Sequence, residues 1–510
     1  MDLFLSAHGS KITGTISVFD RLIIKGHLPL GYPHGMERLL QREGKLFRDL
    51  KGFVLEQSDR IKERARRLAE ESGRPYEYYN TKIAKEPRAR EIAERDGIDE
   101  GLVCVFAAVE PCRSFRLAFG EGRPRILPAK RKCLFLYYYF IDPVLGFLHV
   151  RIQTWFPLTI QVYVNGHEWL ARQLDARGIG YRRLENAFLA IDDPAAAQEL
   201  ADAFVQLDWT NVLHGFARRI NPLLEDLLAG YAYYWAVNQA EYATNLMFAD
   251  RAALEELYPR LLHHATLAMS AEDILTFLGR KLHHCFAGEI LNECKQRWPG
   301  ARVKHRMKQN WIKMYNKHGS VLRVETVINN PYEFKVRRKG TRRREEIMGW
   351  FPLPKGIAHL FRFAEVSLSA NRRYLDALAT VRDPTPAFRE LDRLARPVRV
   401  RGRSMRGFNP IDLEDLHVFR AVLRGENAIS GFRNRDVRRQ LYPEPHPQQR
   451  ERALGARVSR ILKRLHVRRL IAKIPRSRRW RVTRLGHDFM AAAIHVRECN
   501  FLHALEHSCT

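Results

Sequence analysis

Residues 449–486 read QRERALGARVSRILKRLHVRRLIAKIPRSRRWRVTRLG. Leu454, Val458, Ile461, Leu462 and Leu465 recur every three or four positions, which predicts a helix from about Gln449 to Leu470 with one apolar face. Arg457, Arg460, Lys463, Arg464 and Arg468 are distributed around the remainder of that helix. Two short β-prone runs, Ile471 to Ile474 and Arg479 to Val482, flank Pro475 to Arg478 and predict a hairpin with a basic tip. A final helix then begins near Thr483. Upstream, Leu413 to Arg424 has helical apolar spacing and stops before Gly425, and Asn434 can cap a second helix, Arg435 to Leu441.

The segment I-L-x-R-L-x-x-x-x-L-I, a basic tip, then R-W-R-V-T-x-x-G (Ile461 to Gly486) resembles the recognition helix, wing and following helix of winged helix-turn-helix regulators, MarR-like proteins among them. The resemblance covers about 75 of the 510 residues. The link between the second and third helices, broken by Pro443, Pro445 and Pro447, is longer than the family's tight turn. The resemblance implies that the third helix enters the major groove and that the wing lies along the backbone or minor groove. Arg457, Arg460, Lys463, Arg464, Arg468, Arg476, Arg478 and Arg479 are the nucleic-acid-binding candidates of this region.

Charge supports the same partner. The chain carries 86 Lys and Arg against 57 Asp and Glu, a formal charge of +29. Residues 397–510 hold +15 and residues 301–345 a further +11, so the other 351 residues are nearly neutral at +3. Two discrete basic segments select for polyanions. Seven irregularly spaced cysteines do not make a disulfide framework, and the longest apolar run, Cys133 to Ile141, is about half a membrane span. A soluble, cytoplasmic protein without membrane association is expected.

Length calls for several domains. The expected architecture is a multidomain α/β and α+β body with a C-terminal winged-helix domain. Residues 1–115 read as α/β and 116–230 as an α+β sheet layer. Residues 231–396 read as a helical region, with helices dominating from Trp209 to Arg280, that carries a basic β-hairpin over 302–338. Residues 397–407 form a basic linker, and 408–510 the winged helix. The hairpin is expected to pair Arg302–Asn316 with Val321–Asn329, with a further basic stretch reaching residue 344.

Lys304, Arg306, Lys308 and Lys313 are the nucleic-acid contacts expected there, with Trp311 and Tyr315 available to stack on bases. Tyr315-x-Lys317 followed by Leu322-Arg323-Val324-Glu325 is loosely similar to replication initiators of phages and plasmids. That resemblance implies a tyrosine nucleophile, Lys317 and Arg323 beside it, and Glu325 holding a metal. The His-hydrophobe-His pair of those enzymes is incomplete, because His149-Val150-Arg151 has arginine at the second ligand position. His263, His264, His283, His284, Cys285 and Cys294 lack the tight pairs that zinc requires, so no metal site and no cofactor is expected outside the enzyme reading. Asp208, Glu225, Glu241 and Asp273 carry no distinguishing signal. No Walker loop, G-x-G-x-x-G, H-E-x-x-H or G-x-S-x-G is present.

The sequence thus favours a non-enzymatic binder of double-stranded DNA with a second basic contact near residues 302–344. A metal-dependent nicking or strand-transfer enzyme, such as a replication initiator or mobile-element protein, is the alternative. A factor that binds structured RNA is the third reading.

Overall fold

Several long apolar runs make long strands here, and the computed structural model places eleven strands among the described residues in one large mixed sheet within a multidomain α/β body. It describes residues 1–79, 84–119, 124–280, 289–297, 300–342, 345–381, 394–400 and 402–497. Two compact units are distinguished: 14–245 with 325–368, and 1–13 with 246–324 and 369–510.

The first unit holds β1 (Ile12–His27), β2 (Tyr76–Tyr78), β3 (Gly101–Ala118), β4 (Arg125–Asp142), β5 (Gly146–Gln153) and β6 (Ile160–Val164). A small hairpin of β7 (Tyr181–Leu184) and β8 (Ala187–Ile191) follows. Most of β9 (Tyr234–Phe248) also belongs here. In the sheet β9 neighbours β1, and the order continues β6-β5-β4-β3-β2. The β2–β3 pair is parallel, whereas β1–β6, β6–β5, β5–β4 and β4–β3 are antiparallel. The boundary expected at residue 115 falls inside β3, and β1 to β6 share one sheet.

A second expectation is corrected by β9. This strand of 15 residues lies where helices were predicted to dominate. Nearly every residue from Trp235 onward is buried, so the polar-apolar alternation of a half-exposed strand is missing. The helix Pro194–Ala203 starts as predicted, with Asp193 Oδ1 accepting from the amides of Ala195 and Ala196 at 3.1 and 3.0 Å.

The second unit contains β10 (Ile290–Arg297), β11 (Gly300–Met307), β12 (Asn310–Lys317) and the first half of β13 (Val321–Ile328), hydrogen-bonded in that order. The predicted continuous strand Arg302–Asn316 is therefore two strands. They are joined at Lys308-Gln309, where Lys308 takes a left-handed φ of 54°.

After residue 328 the first unit adds a separate ribbon, β14 (Lys335–Arg342) with β15 (Glu345–Pro352). The expected linker 397–407 includes a short hairpin, β16 (Val398–Val400) with β17 (Arg403–Met405). The helix expected at Pro386–Arg396 lies largely outside the described residues.

The C-terminal module comprises the helices Leu413–Leu423, Gly425–Ser430, Asn434–Leu441 and Gln448–Val467. The hairpin β18 (Ile471–Lys473) with β19 (Trp480–Val482) and the helix Arg484–His495 complete it. Phe432 bridges Trp480, adding a third short extended piece to the hairpin. Phe419, Val422, Phe432, Val437, Val458, Leu462, Leu465, Ile471 and Met490 form its buried core. Among the described residues no helix is long and apolar enough to cross a membrane.

Candidate nucleic-acid interface and carboxylate cluster

Strand alternation sorts β11 and β12 into two faces. Val303, His305, Met307, Ile312 and Met314 are buried, whereas Arg302, Lys304, Arg306, Trp311, Lys313 and Tyr315 are not. Register places Lys304 opposite Lys313, Arg306 opposite Trp311 and Arg302 opposite Tyr315. Lys304, Arg306 and Lys313 thus share one basic and aromatic surface, and Lys308 is exposed at its turn. The aromatics on it are already engaged: the Lys304 ammonium lies 4.2 Å from the Trp311 ring centroid, and Arg323 lies 6.0 Å from that of Tyr315.

The C-terminal cations divide differently. Arg460, Lys463, Arg476 and Arg478 are exposed, and Arg457, also exposed, reaches Glu414 at 3.4 Å. Arg464 and Arg468 turn inward. Arg464 Nη2 donates to the Gly407 carbonyl at 2.6 Å and its guanidinium stacks 4.0 Å from the Phe408 ring. Arg468 Nη2 donates to the carbonyls of Arg406, Arg396 and Met405. Burial holds both guanidinium groups below their ordinary pKa. Arg479 is likewise spent on the Gly431 carbonyl, at 2.8 Å. These three fasten the connector and the β18–β19 hairpin to the module, which turns them away from the nucleic-acid surface on which they were expected.

The catalytic candidates separate as well. Arg323 is fully buried beneath Tyr315, and Lys317 ends β12. Glu325, on β13, instead meets Glu241 of β9 and Asp20 of β1, residues from three consecutive strands of the sheet. One carboxylate oxygen from each lies within 4.8 Å of the others. Glu241 and Glu325 are buried, and Asp20 is half-buried. Asn186 Nδ2 donates to Asp20 Oδ1 at 2.7 Å, His167 Nδ1 stands 3.2 Å from the same oxygen, and Gln239 Nε2 donates to Glu241 at 2.8 Å. At Arg21, burial works against the charged form, but Glu241, Tyr163, Asp20 and Glu325 outweigh it and hold the guanidinium above its ordinary pKa. Such a cluster keeps all three charges only when cations compensate them, and an all-oxygen donor set suits a hard divalent ion.

His149 takes no part in that cluster. It stacks on Tyr163 with ring centroids 5.0 Å apart, and burial pushes its pKa down to about 3. Arg151 pairs with Glu110 at 2.8 Å. His264 Nε2 lies 3.3 Å from the Thr380 hydroxyl, and Cys294 is exposed on β10. His283, His284 and Cys285 lie outside the described residues.

No family model, curated protein or solved structure matches this chain. Its chemistry has to be read from the side chains themselves. Sequence reasoning passed over Asp20 and left Glu241 unmarked, although a common signal existed. Each of ISVFDRLII, AEYATNLMF and VLRVETVI contains a single acid within a strand-forming apolar run. Buried carboxylates are uncommon unless something compensates them.

Proposed function

We propose that the chain is a nucleic-acid-binding protein whose C-terminal module acts as a winged helix on double-stranded DNA, with the outer face of β11–β12 as a second contact. The observation that carries this reading is the sorting of cations on one helix. Arg464 of Gln448–Val467 and Arg468 at its C-terminal cap satisfy backbone carbonyls, while Arg460 and Lys463 of the same helix and Arg476 and Arg478 of the wing stay exposed. Exposed guanidinium and ammonium groups neutralise phosphates and release counterions, so affinity falls steeply with salt.

The combined Arg460→Ala, Lys463→Ala protein is expected to bind a duplex about tenfold or more weakly, with a salt slope reduced by about 2. Titrations of a labelled duplex across a salt series measure both. Arg464→Ala is expected to lower the melting temperature of the module instead. Unchanged duplex affinity in the double variant defeats the reading. Displacement of duplex by structured RNA turns it to the RNA alternative.

The convergence of Asp20, Glu241 and Glu325 favours a second reading, metal-dependent phosphodiester chemistry. A divalent ion held by these three would polarise a phosphate or activate water. Mn²⁺ is expected to raise the melting temperature of the wild-type chain by a few degrees through preferential binding to the folded state. Glu325→Gln is expected to abolish that shift. Nicking of supercoiled plasmid, lost in Glu325→Gln and compared with Tyr315→Phe, separates a metal-activated water from a tyrosine nucleophile. Absence of any Mn²⁺ shift in the wild type rules this reading out.

A further inference from the structure

The ribbon β14–β15 was not among the expected stacking surfaces, yet its two faces are sharply different. Register sets Arg337 opposite Trp350, Lys339 opposite Met348 and Lys335 opposite Pro352, so these six side chains share one face by strand alternation. All of them are exposed, Trp350 at 69% and Met348 at 56%. The other face is closed on itself. Val336 is buried there, Phe351 lies over Gly340 and Gly349, and Arg338 stacks 5.3 Å from the Phe351 ring centroid. A Cβ on Gly340 would stand 2.8 Å from Phe351, so glycine is what lets that ring lie flat against the ribbon.

An outward indole directly opposite a guanidinium offers a flat π-surface beside a positive charge. Opposed cross-strand side chains sit about 5 Å apart, close enough for one ligand to touch both. Thr341 and Glu346 end the same face, both exposed, so three cations stand against one acid and the face still selects an anion, while the flat apolar ring selects a π-face. Those requirements meet in a nucleotide whose base is unstacked. A duplex hides its base faces, whereas a single strand presents them. Lysines on exposed edge strands also discourage strand pairing, but that role leaves a Trp at the centre of the face without purpose.

We infer that the outward face of β14–β15 is a stacking platform for single-stranded nucleic acid, with Trp350 against a base and Arg337 and Lys339 on the flanking phosphates. The inference rests on the reading of this chain as a nucleic-acid-binding protein, and it locates a strand-selective contact apart from the duplex-binding helix.

The test uses the full chain and the anisotropy of labelled oligo-dT, oligo-rU and a duplex of equal length. Trp350→Ala is expected to weaken oligo-dT binding about tenfold, the effect of removing one stacked base. Trp350→Phe should restore most of it, and duplex affinity should stay within about twofold. Arg337→Ala with Lys339→Ala should lower the single-strand salt slope by about 1.4. The oligo-rU arm reports whether the platform takes RNA as readily as DNA. Oligo-dT affinity unchanged by Trp350→Ala overturns the inference, as does failure of Trp350→Phe to rescue. If Arg460→Ala with Lys463→Ala leaves duplex binding intact while Trp350→Ala abolishes single-strand binding, the winged-helix reading fails and the platform stands.

Discussion

Gly486→Ala is expected to unfold the C-terminal module. Gly486 lies in the first turn of the helix Arg484–His495, directly against the end of the helix Gln448–Val467. A Cβ there would stand 1.9 Å from the Leu470 carbonyl oxygen and 2.7 Å from its carbon, and neither atom is on a flexible side chain. The approach is fixed from both sides, because the Thr483 amide donates to that same carbonyl at 3.0 Å and Thr483 Oγ1 accepts from the Gly486 amide at 3.0 Å. Relief of the clash requires the helix to move away, taking Phe489, Met490 and Ala493 out of the core. Overpacking of this severity costs about 3 kcal/mol or more. Gly455→Ala supplies the opposite sign. In mid-helix its Cβ would meet only side-chain ends, Arg438 Nη1 at 3.4 Å and Asn434 Oδ1 at 3.9 Å. Glycine to alanine in a helix interior gains about 0.5–1 kcal/mol. Urea unfolding followed together with duplex binding checks both. Equal midpoints for Gly486→Ala and wild type would show that the two helices are not held as closely as the backbone contact requires.

That glycine closes the motif from which the C-terminal reading began, and the contrast with the rest of the chain is instructive. Helix spacing and the short hairpin are local signals. They placed the helix Gln448–Val467 within about three residues of its ends. The basic face of β11 was equally legible, because period-two alternation survives wherever one face is buried and the other is not. The break at Lys308-Gln309 was not, since neither residue is among those that announce a left-handed turn. Strand β9 was hidden by its burial on both faces. The directions of Arg464 and Arg468 depend on carbonyls of residues 396–407, about 60 positions away. Nothing in a helical wheel reports those partners. The Asp20, Glu241 and Glu325 cluster required knowing that β13, β9 and β1 are neighbours. That adjacency joins residues some 300 positions apart, a fact of topology with no local trace.

Acidification provides the other large effect, and it acts on the buried side of the basic surface. His305 is completely buried on β11, between Arg306 and Lys304 of the outer face. The Asn292 side-chain oxygen lies 2.8 Å from its Nδ1, which therefore donates, and the Tyr374 hydroxyl lies 2.9 Å from its Nε2, which accepts. The neutral ring thus satisfies both partners, and burial pushes its pKa down to about 4. An unfolded histidine titrates near 6.5. Between those values the unfolded chain takes up a proton that the folded chain refuses, so stability falls as pH drops from about 6.5 to 4 and is unaffected by this group above that window. The loss reaches about 2.5 kcal/mol near pH 4.5. His305→Gln removes the titration along with the packing. The stability gap between wild type and His305→Gln is therefore expected to be widest near pH 8 and to shrink by about that amount at pH 4.5, measured by urea unfolding at each pH. A constant gap would mean that His305 ionises in place without opening the sheet. A shrinking gap ties the integrity of the Lys304, Arg306 and Lys313 surface to a neutral imidazole directly beneath it. Affinity through the face proposed above as the second nucleic-acid contact should then weaken in mild acid through loss of the strands that present the cations, even though the cations themselves stay charged.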